Sequence, residues 1–282
     1  MESAEAWVRD RTEDAALGPK SERVARLLAT QPEFTSYASA GAVAGRAGVD
    51  AATVVRTAQA LGFSGWPELR LELRSRYLAS LRATEVLVQH AASASDPVLH
   101  ALRSDIDNLA LASRTIDADA VRAVAAALAA ARRTLVLASG AFSGPAYQLA
   151  HCAGFMGMDV QFAVRGGTTL VNGLTQLGPG DCLVSINFWR LPREIRDAAE
   201  IAHGAGVTTC ALTDLHRSAL TDVADHVIAV PSEGTSHFPS LTAAMSVVHA
   251  LLAEVTRLRG DRARDAMRVT EDLWQRMDLM CE

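Results

Sequence analysis

The chain has 282 residues, of which 49% are hydrophobic and 21% charged, and a net charge of −5. This length accommodates two domains, and the composition excludes long disorder. No apolar run approaches the roughly 20 residues of a membrane span, and Met1 to Trp7 lack the basic start and apolar stretch of a signal peptide, so a cytoplasmic protein with no membrane partner is expected.

Residues 1–20 are polar, contain Gly18-Pro19 and read as a loose lead-in with room for a short helix. From Ser21 to about Leu81 the pattern is helical in short pieces. Ser21 can cap a helix bearing Val24, Leu27 and Leu28. Ser39 or Ala40 starts a second that ends at Gly48, and Asp50 caps a third that stops at Gly62. Pro67 suits the first turn of a fourth, which carries Leu69, Leu71, Leu73 and Leu78. The expected organisation is a DNA-binding domain over 1–82, a helical linker over 83–115 with a break at Ala91–Ser95, and a sensor and oligomerisation domain over 116–282. In the last of these, Thr134–Ala138, Val160–Val164, Cys182–Ile186, Val207–Leu212 and His226–Val230 are apolar runs of strand length that alternate with helical segments. That alternation predicts a five-stranded parallel sheet with helices on both faces. Two amphipathic helices, about Ser240–Arg259 and Asp261–Leu279, close the chain.

Charge is unevenly placed. Between Ser39 and Arg82, Arg46, Arg56, Arg70, Arg74, Arg76 and Arg82 stand against Asp50, Glu68 and Glu72, a net +3, so the rest of the chain carries −8. A small basic module on an acidic body is expected when one part meets phosphate. The arginines at 70, 74 and 76 fit either phosphate contact or a solvated face. Lys20 is the only lysine, outside any candidate pocket, which argues against Schiff-base chemistry. Cys152, Cys182, Cys210 and Cys281 are dispersed, and the first three sit in apolar segments as small hydrophobes. Neither a structural metal nor a disulfide framework is expected, and no cofactor is called for.

Ala44 to Arg56 carries the spacing of a helix-turn-helix. Ala44 is small where two helices cross, Gly48 supplies the positive φ of the turn, and Val49 and Val54 plug the space between the helices. Asp50, Ala51, Thr53, Arg56, Thr57 and Gln59 are then the outward positions of the second helix. In this motif that helix lies in the major groove. Arg56 and Gln59 suit guanine and adenine edges, and Thr53 suits a phosphate or thymine methyl.

Thr53 to Leu69, with Leu61-Gly62-Phe63-Ser64-Gly65-Trp66-Pro67-Glu68-Leu69 after the second helix, resembles the signature of the RpiR family of regulators. That family joins such a domain to a carboxyl-terminal SIS (sugar isomerase) domain. The resemblance implies a sheet in flavodoxin-like order and sensing of a sugar phosphate or related metabolite. It also implies homodimers or tetramers, and binding to palindromic operators in double-stranded DNA.

The SIS pattern implies two phosphate loops. The first, Gly-x-Gly-x-Ser in the family, is similar to Ser139-Gly140-Ala141-Phe142-Ser143. Here Ser143 is either a ligand contact or a plain helix cap. The second, Ser-x-Ser-Gly-x-Thr, becomes Ser185-Ile186-Asn187-Phe188-Trp189-Arg190, followed by Leu191-Pro192-Arg193. Two hydroxyls and a glycine are replaced by aromatics and by arginines whose guanidinium forks match an anion. The candidate ligand residues are Ser139, Ser143, Ser185, Asn187, Arg190 and Arg193, with Thr235 and Ser240 from the loop after the fifth strand. The loop fits an anionic metabolite, a more apolar ligand against Phe188 and Trp189, or a protein contact. Isomerase chemistry would need a placed acid–base pair. Glu233, His237 and His203 have no spacing that makes one, so a non-enzymatic regulator is expected, with an isomerase bearing a helical appendage or a ligand-free scaffold as alternatives.

Overall fold

The computed structural model describes residues 4–13, 15–91, 96–163 and 166–280. Of the expected break at 91–95, residue 91 is helical and residues 92–95 lie outside them, as do the end of the second predicted strand at Val164 and Cys281. The chain divides into two compact units, Met1–His100 with Thr235–Phe238, and Ala101–Gly234 with Pro239–Glu282.

The first unit contains α1 (Ala4–Glu13), α2 (Pro19–Thr30), α3 (Pro32–Tyr37), α4 (Ala40–Ala47), α5 (Ala51–Ala60), α6 (Trp66–Ser80) and α7 (Ala83–Ala91). α2 starts earlier than the sequence suggests. Gly18 is the residue before it and Pro19 occupies its first turn, where a missing N–H costs nothing. Ser39 caps α4 through the Ala42 N–H, and Asp50 caps α5 through the Thr53 N–H at 2.8 Å. Between them Gly48 takes φ +64°, the left-handed conformation the turn requires. Val24, Leu28, Val43, Val54, Ala58, Leu69 and Leu73 form the core of this unit. Trp66 joins it and donates its indole N–H to the Ala38 carbonyl at 3.1 Å.

α8 (Pro97–Thr115) begins in the first unit by sequence and ends in the second. Asp96 caps it through the Val98 and Leu99 N–H groups. The second unit continues through α9 (Ala118–Ala130), β1 (Thr134–Ala138), α10 (Ser143–Phe155), β2 (Val160–Ala163), α11 (Gly167–Leu174) and β3 (Cys182–Ile186). There follow α12 (Arg193–Gly204), β4 (Thr208–Thr213), β5 (His226–Ala229), α13 (Thr242–Arg259) and α14 (Asp261–Arg276). The strands pair in parallel in the order β2-β1-β3-β4-β5. Alternate residues of each central strand serve opposite faces. Val136, Val184 and Ile186 pack with α9, α10 and α13, whereas Leu135, Leu137 and Leu183 pack with α11 and α12. Both faces are covered, which explains strands that are apolar throughout.

Cys182 and Cys210 are buried with their sulfurs 3.9 Å apart, and the hydrogen bond with Cys182, followed by burial, pushes the Cys210 thiol up. Cys182 pairs across the sheet with Thr208 and Cys210 with Val184, so the two cysteines face each other diagonally.

Asp181, just before β3, is fully buried. Its carboxylate accepts both arms of Arg132, at 3.0 and 2.8 Å, and the Gly178 N–H at 2.9 Å. The Arg132 guanidinium holds this carboxyl below its ordinary value of 3.8. The stabilisation is therefore complete above that value and lost as pH falls through the lowered one. Asp181→Asn should destabilise the sheet unit by about 2 kcal/mol at neutral pH. Thermal melts should show the gap to the parent closing below about pH 4; a gap that stays constant into acid would contradict this account.

Candidate DNA-binding and ligand sites

α5, the second helix of the motif, exposes Asp50, Ala51, Arg56 and Gln59, together with Ala52 and Ala60. Thr53 and Thr57, expected to face outward, are buried. They are four residues apart on a face shared with Val54, Ala58 and Leu61, so their methyls enter the core while their hydroxyls bond locally. Thr57 Oγ1 donates to the Thr53 carbonyl at 2.8 Å. Thr53 Oγ1 donates to Asp50 Oδ2 at 3.0 Å and accepts from the Arg56 guanidinium at 2.8 Å. Two threonines thus leave the outward-facing set of α5 and become its support. The Thr53 N–H, and then its hydroxyl, hold the Asp50 carboxyl below its ordinary value, with Arg56, 3.6 Å away, contributing less.

Two cations that the motif did not include reach this end of α5 from α2. Arg23 donates to the Gly48 carbonyl at 2.9 Å, and Lys20 Nζ stands 3.9 Å from Asp50 Oδ2. Neither contact could be read from the sequence, because the partners are 25 and 30 positions away and no periodicity links them. Arg74 and Arg76 instead have partners within their own unit. Arg76 pairs with buried Glu72 at 2.8 Å and lies over the Trp7 ring, and Arg74 lies over Tyr37.

In the second unit, the order β2-β1-β3 places the topological switch between β1 and β3, where ligands bind in open α/β sheets. Ser139 follows β1, and a single 3-10 turn over Gly140–Phe142 leads into α10. Ser143 is the first residue of α10, not its cap; Phe142 holds the cap position and no side-chain capping bond forms. Ser139 and Ser143 are half-buried. Across the switch, Ser185 Oγ and Asn187 Oδ1 are buried without a hydrogen-bond partner. Buried polar atoms are nearly always paired, so two orphans at this position fit a polar group supplied from outside. Arg190 and Arg193 are exposed on the same loop, Arg193 as the first residue of α12.

Phe188, which one alternative set against a more apolar ligand, is fully buried in the core and meets Phe142 edge to face with ring centroids 5.6 Å apart. It joins the two loops and offers no surface to a ligand. Trp189 takes φ +57°, an uncommon conformation for a bulky residue. Its N–H donates to the buried Asp214 carboxylate at 3.0 Å, and Ser232 Oγ donates to the other oxygen of that carboxylate at 3.3 Å. Asp214 is thus a structural anchor of the loop, signalled in the sequence only as an acid ending an apolar strand.

The loop after β5 does different work. Ser240 and Thr242 hydroxyls donate to the two oxygens of Asp105 on α8, and Asn108 on α8 donates to the Glu233 carbonyl at 2.7 Å. Ser240 is therefore engaged in tying α8 to the start of α13. Thr235 is half-buried and belongs to the segment grouped with the first unit. His203, near the end of α12, lies 3.6 Å from Asp225, which precedes β5, whereas Glu233 follows β5. His203 and Glu233 thus lie at opposite ends of the sheet and do not pair with each other.

A helix-turn-helix in one unit and, in the other, a parallel sheet in the order β2-β1-β3-β4-β5 define a DNA-binding regulator with an SIS domain. The rpiR-family helix-turn-helix model matches residues 11–80, and the SIS domain model matches residues 127–254. The chain belongs to the RpiR family of transcriptional regulators. The sugar isomerase domain of an RpiR transcription factor from Sphaerobacter thermophilus is 30% identical, covers 62% of this chain and 97% of its own, and superposes with a TM-score of 0.59. The Vibrio vulnificus NanR protein, solved in complex with ManNAc-6P, shares the fold over 99% of this chain and 100% of its own. Its identity is 18% and its TM-score 0.62. An uncharacterized HTH-type transcriptional regulator of Escherichia coli (strain K12), YfhH, is 26% identical over 238 residues, 83% of each chain. Among the described residues no helix is long and apolar enough to cross a membrane.

Proposed function

We propose that this regulator binds an operator through the exposed face of α5, and that a small anionic metabolite in the β1/β3 crevice changes its operator affinity. The pair of unpartnered buried atoms, Ser185 Oγ and Asn187 Oδ1, carries the ligand half of this reading. Ser139, just after β1, and Ser143, at the start of α10, are half-buried beside this switch point, and exposed Arg190 and Arg193 supply the charge an anion needs. The bound ManNAc-6P of the NanR relative fits a phosphorylated sugar derivative as ligand class. The ties from Asp105 and Asn108 to the loop after β5 make α8, in the 83–115 linker, the route by which the crevice reports toward the DNA-binding residues. The working form is a homodimer or tetramer on a palindromic operator, and the protein regulates without catalysing turnover.

A footprint of the purified protein on its own upstream DNA, repeated with hexose phosphates, N-acylhexosamine phosphates and simple carboxylates, tests this. Expected are two protected half-sites about one helical turn apart, and protection that one class of anion removes or strengthens. A footprint indifferent to every anion would remove the sensing half. Conversion of a sugar phosphate by residues 116–282 would establish the isomerase alternative instead.

A further inference from the structure

We infer that Lys20 and Arg23, on the first turns of α2, are the cations that grip the DNA backbone beside the recognition helix. The inference rests on the DNA-binding reading above and assigns a separate job within it. Lys20 is the single lysine of the chain, and its ammonium lies 3.9 Å from Asp50. Arg23, one turn later, bonds to the Gly48 carbonyl in the turn that launches α5. Both side chains therefore converge on the amino end of the recognition helix from a neighbouring helix.

Asp50 makes this placement consequential. Its carboxylate is required as the α5 cap, yet it puts a negative charge at the end of α5 that approaches DNA. Phosphates bordering the groove lie well within a Debye length of about 10 Å, so an uncompensated Asp50 would repel them. Lys20 and Arg56 stand at 3.9 and 3.6 Å from it, and Arg23 adds a third positive charge at the same turn. Three cations against one anion turn the region positive. The exposed Lys20–Asp50 pair is loose, and such pairs are weak, so the ammonium gives up little in turning to a phosphate.

The two sets of residues are distinguished by where they emerge. Arg56 and Gln59 project from α5 itself, which enters the major groove, and so face base edges. Lys20 and Arg23 flank the start of α5 from α2 and so face the backbone at the groove's rim. Backbone contacts position the protein without carrying sequence information. Arg76, by contrast, is largely buried in its pair with Glu72.

The test uses the full chain with Lys20→Ala, Lys20→Arg and Arg23→Ala. Each is titrated with its own upstream DNA and with a mixed-sequence duplex between about 50 and 200 mM salt. Lys20→Ala and Arg23→Ala should each lower the slope of log Kobs against log salt by about 0.9. They should weaken both duplexes by the same factor, leaving the preference between them intact. Lys20→Arg should keep the parental slope, and the melting temperature of the exposed Lys20 variants should not move. A parental slope in both alanine variants, a loss confined to one sequence, or a Lys20→Arg protein as weak as Lys20→Ala would overturn the assignment. If the parent itself shows no salt-dependent affinity for either duplex, the DNA-binding reading falls as well. A steep parental slope that the substitutions leave alone would refute only the role of Lys20 and Arg23.

Discussion

Phe188→Ala is expected to destabilise the sheet unit by about 3–5 kcal/mol, the range for emptying a fully buried aromatic site. The side chain is wholly inside, and its edge-to-face contact with Phe142 is the join between the loops after β1 and β3. Removing it leaves a cavity and also frees the backbone on which Ser139, Ser143 and Asn187 are mounted. The next residue, Trp189, holds a left-handed backbone that persists only while its surroundings enforce it, so the loss should propagate into the loop. Urea unfolding should show a lowered midpoint with little change in slope, and Phe188→Leu should recover most of the loss. A Phe188→Ala protein weakened by less than about 1 kcal/mol would mean that the site collapses around the gap or that Phe188 does not bind the loops together.

Arg56→Ala combined with Gln59→Ala should abolish most sequence preference while sparing the fold. Each bidentate base contact is worth about 1–3 kcal/mol of discrimination, so the double variant should lose at least about 100-fold in preference for its own upstream DNA over a mixed sequence. Neither side chain contributes to the core, and Asp50 still caps the helix through Thr53. Arg56→Ala alone removes one cation near Asp50 as well as one base contact, so some loss on the mixed duplex accompanies it. Gln59→Ala carries no charge and should affect preference only. Competition binding on the two duplexes separates these outcomes, and an unchanged preference in the double variant would show that α5 is not the reading element.

The helical caps and turns of the first unit were legible because they depend on neighbours in sequence. Ser39 and Asp50 cap helices by bonding to N–H groups three residues on, and Gly48 takes the positive φ that the turn demands. The strands were legible because a sheet covered on both faces needs apolar residues without interruption, as in Thr134–Ala138 and Cys182–Ile186. The side-chain roles were harder. Threonine is polar by type and apolar by its methyl, so residue class alone could not show that Thr53 and Thr57 turn inward. An aromatic pair in a loop could equally have lined a pocket, and only packing against Phe142 showed that Phe188 is core.

What the sequence by itself determined is the succession from short helices to alternating strands and helices, the motif at residues 44–56, and hence a regulator with two kinds of unit. These follow from local periodicity, capping and backbone preference, which act over a few residues. The tertiary structure alone decided the contacts that tune the sites. It brought Lys20 and Arg23 to the start of α5, put Asp214 under the Trp189 backbone, tied Asp105 to Ser240 and Thr242, and left Ser185 Oγ and Asn187 Oδ1 without a hydrogen-bond partner. Each of these depends on where distant segments meet. That meeting is set by burying apolar faces against one another, and no local pattern encodes which polar groups the packing brings into reach.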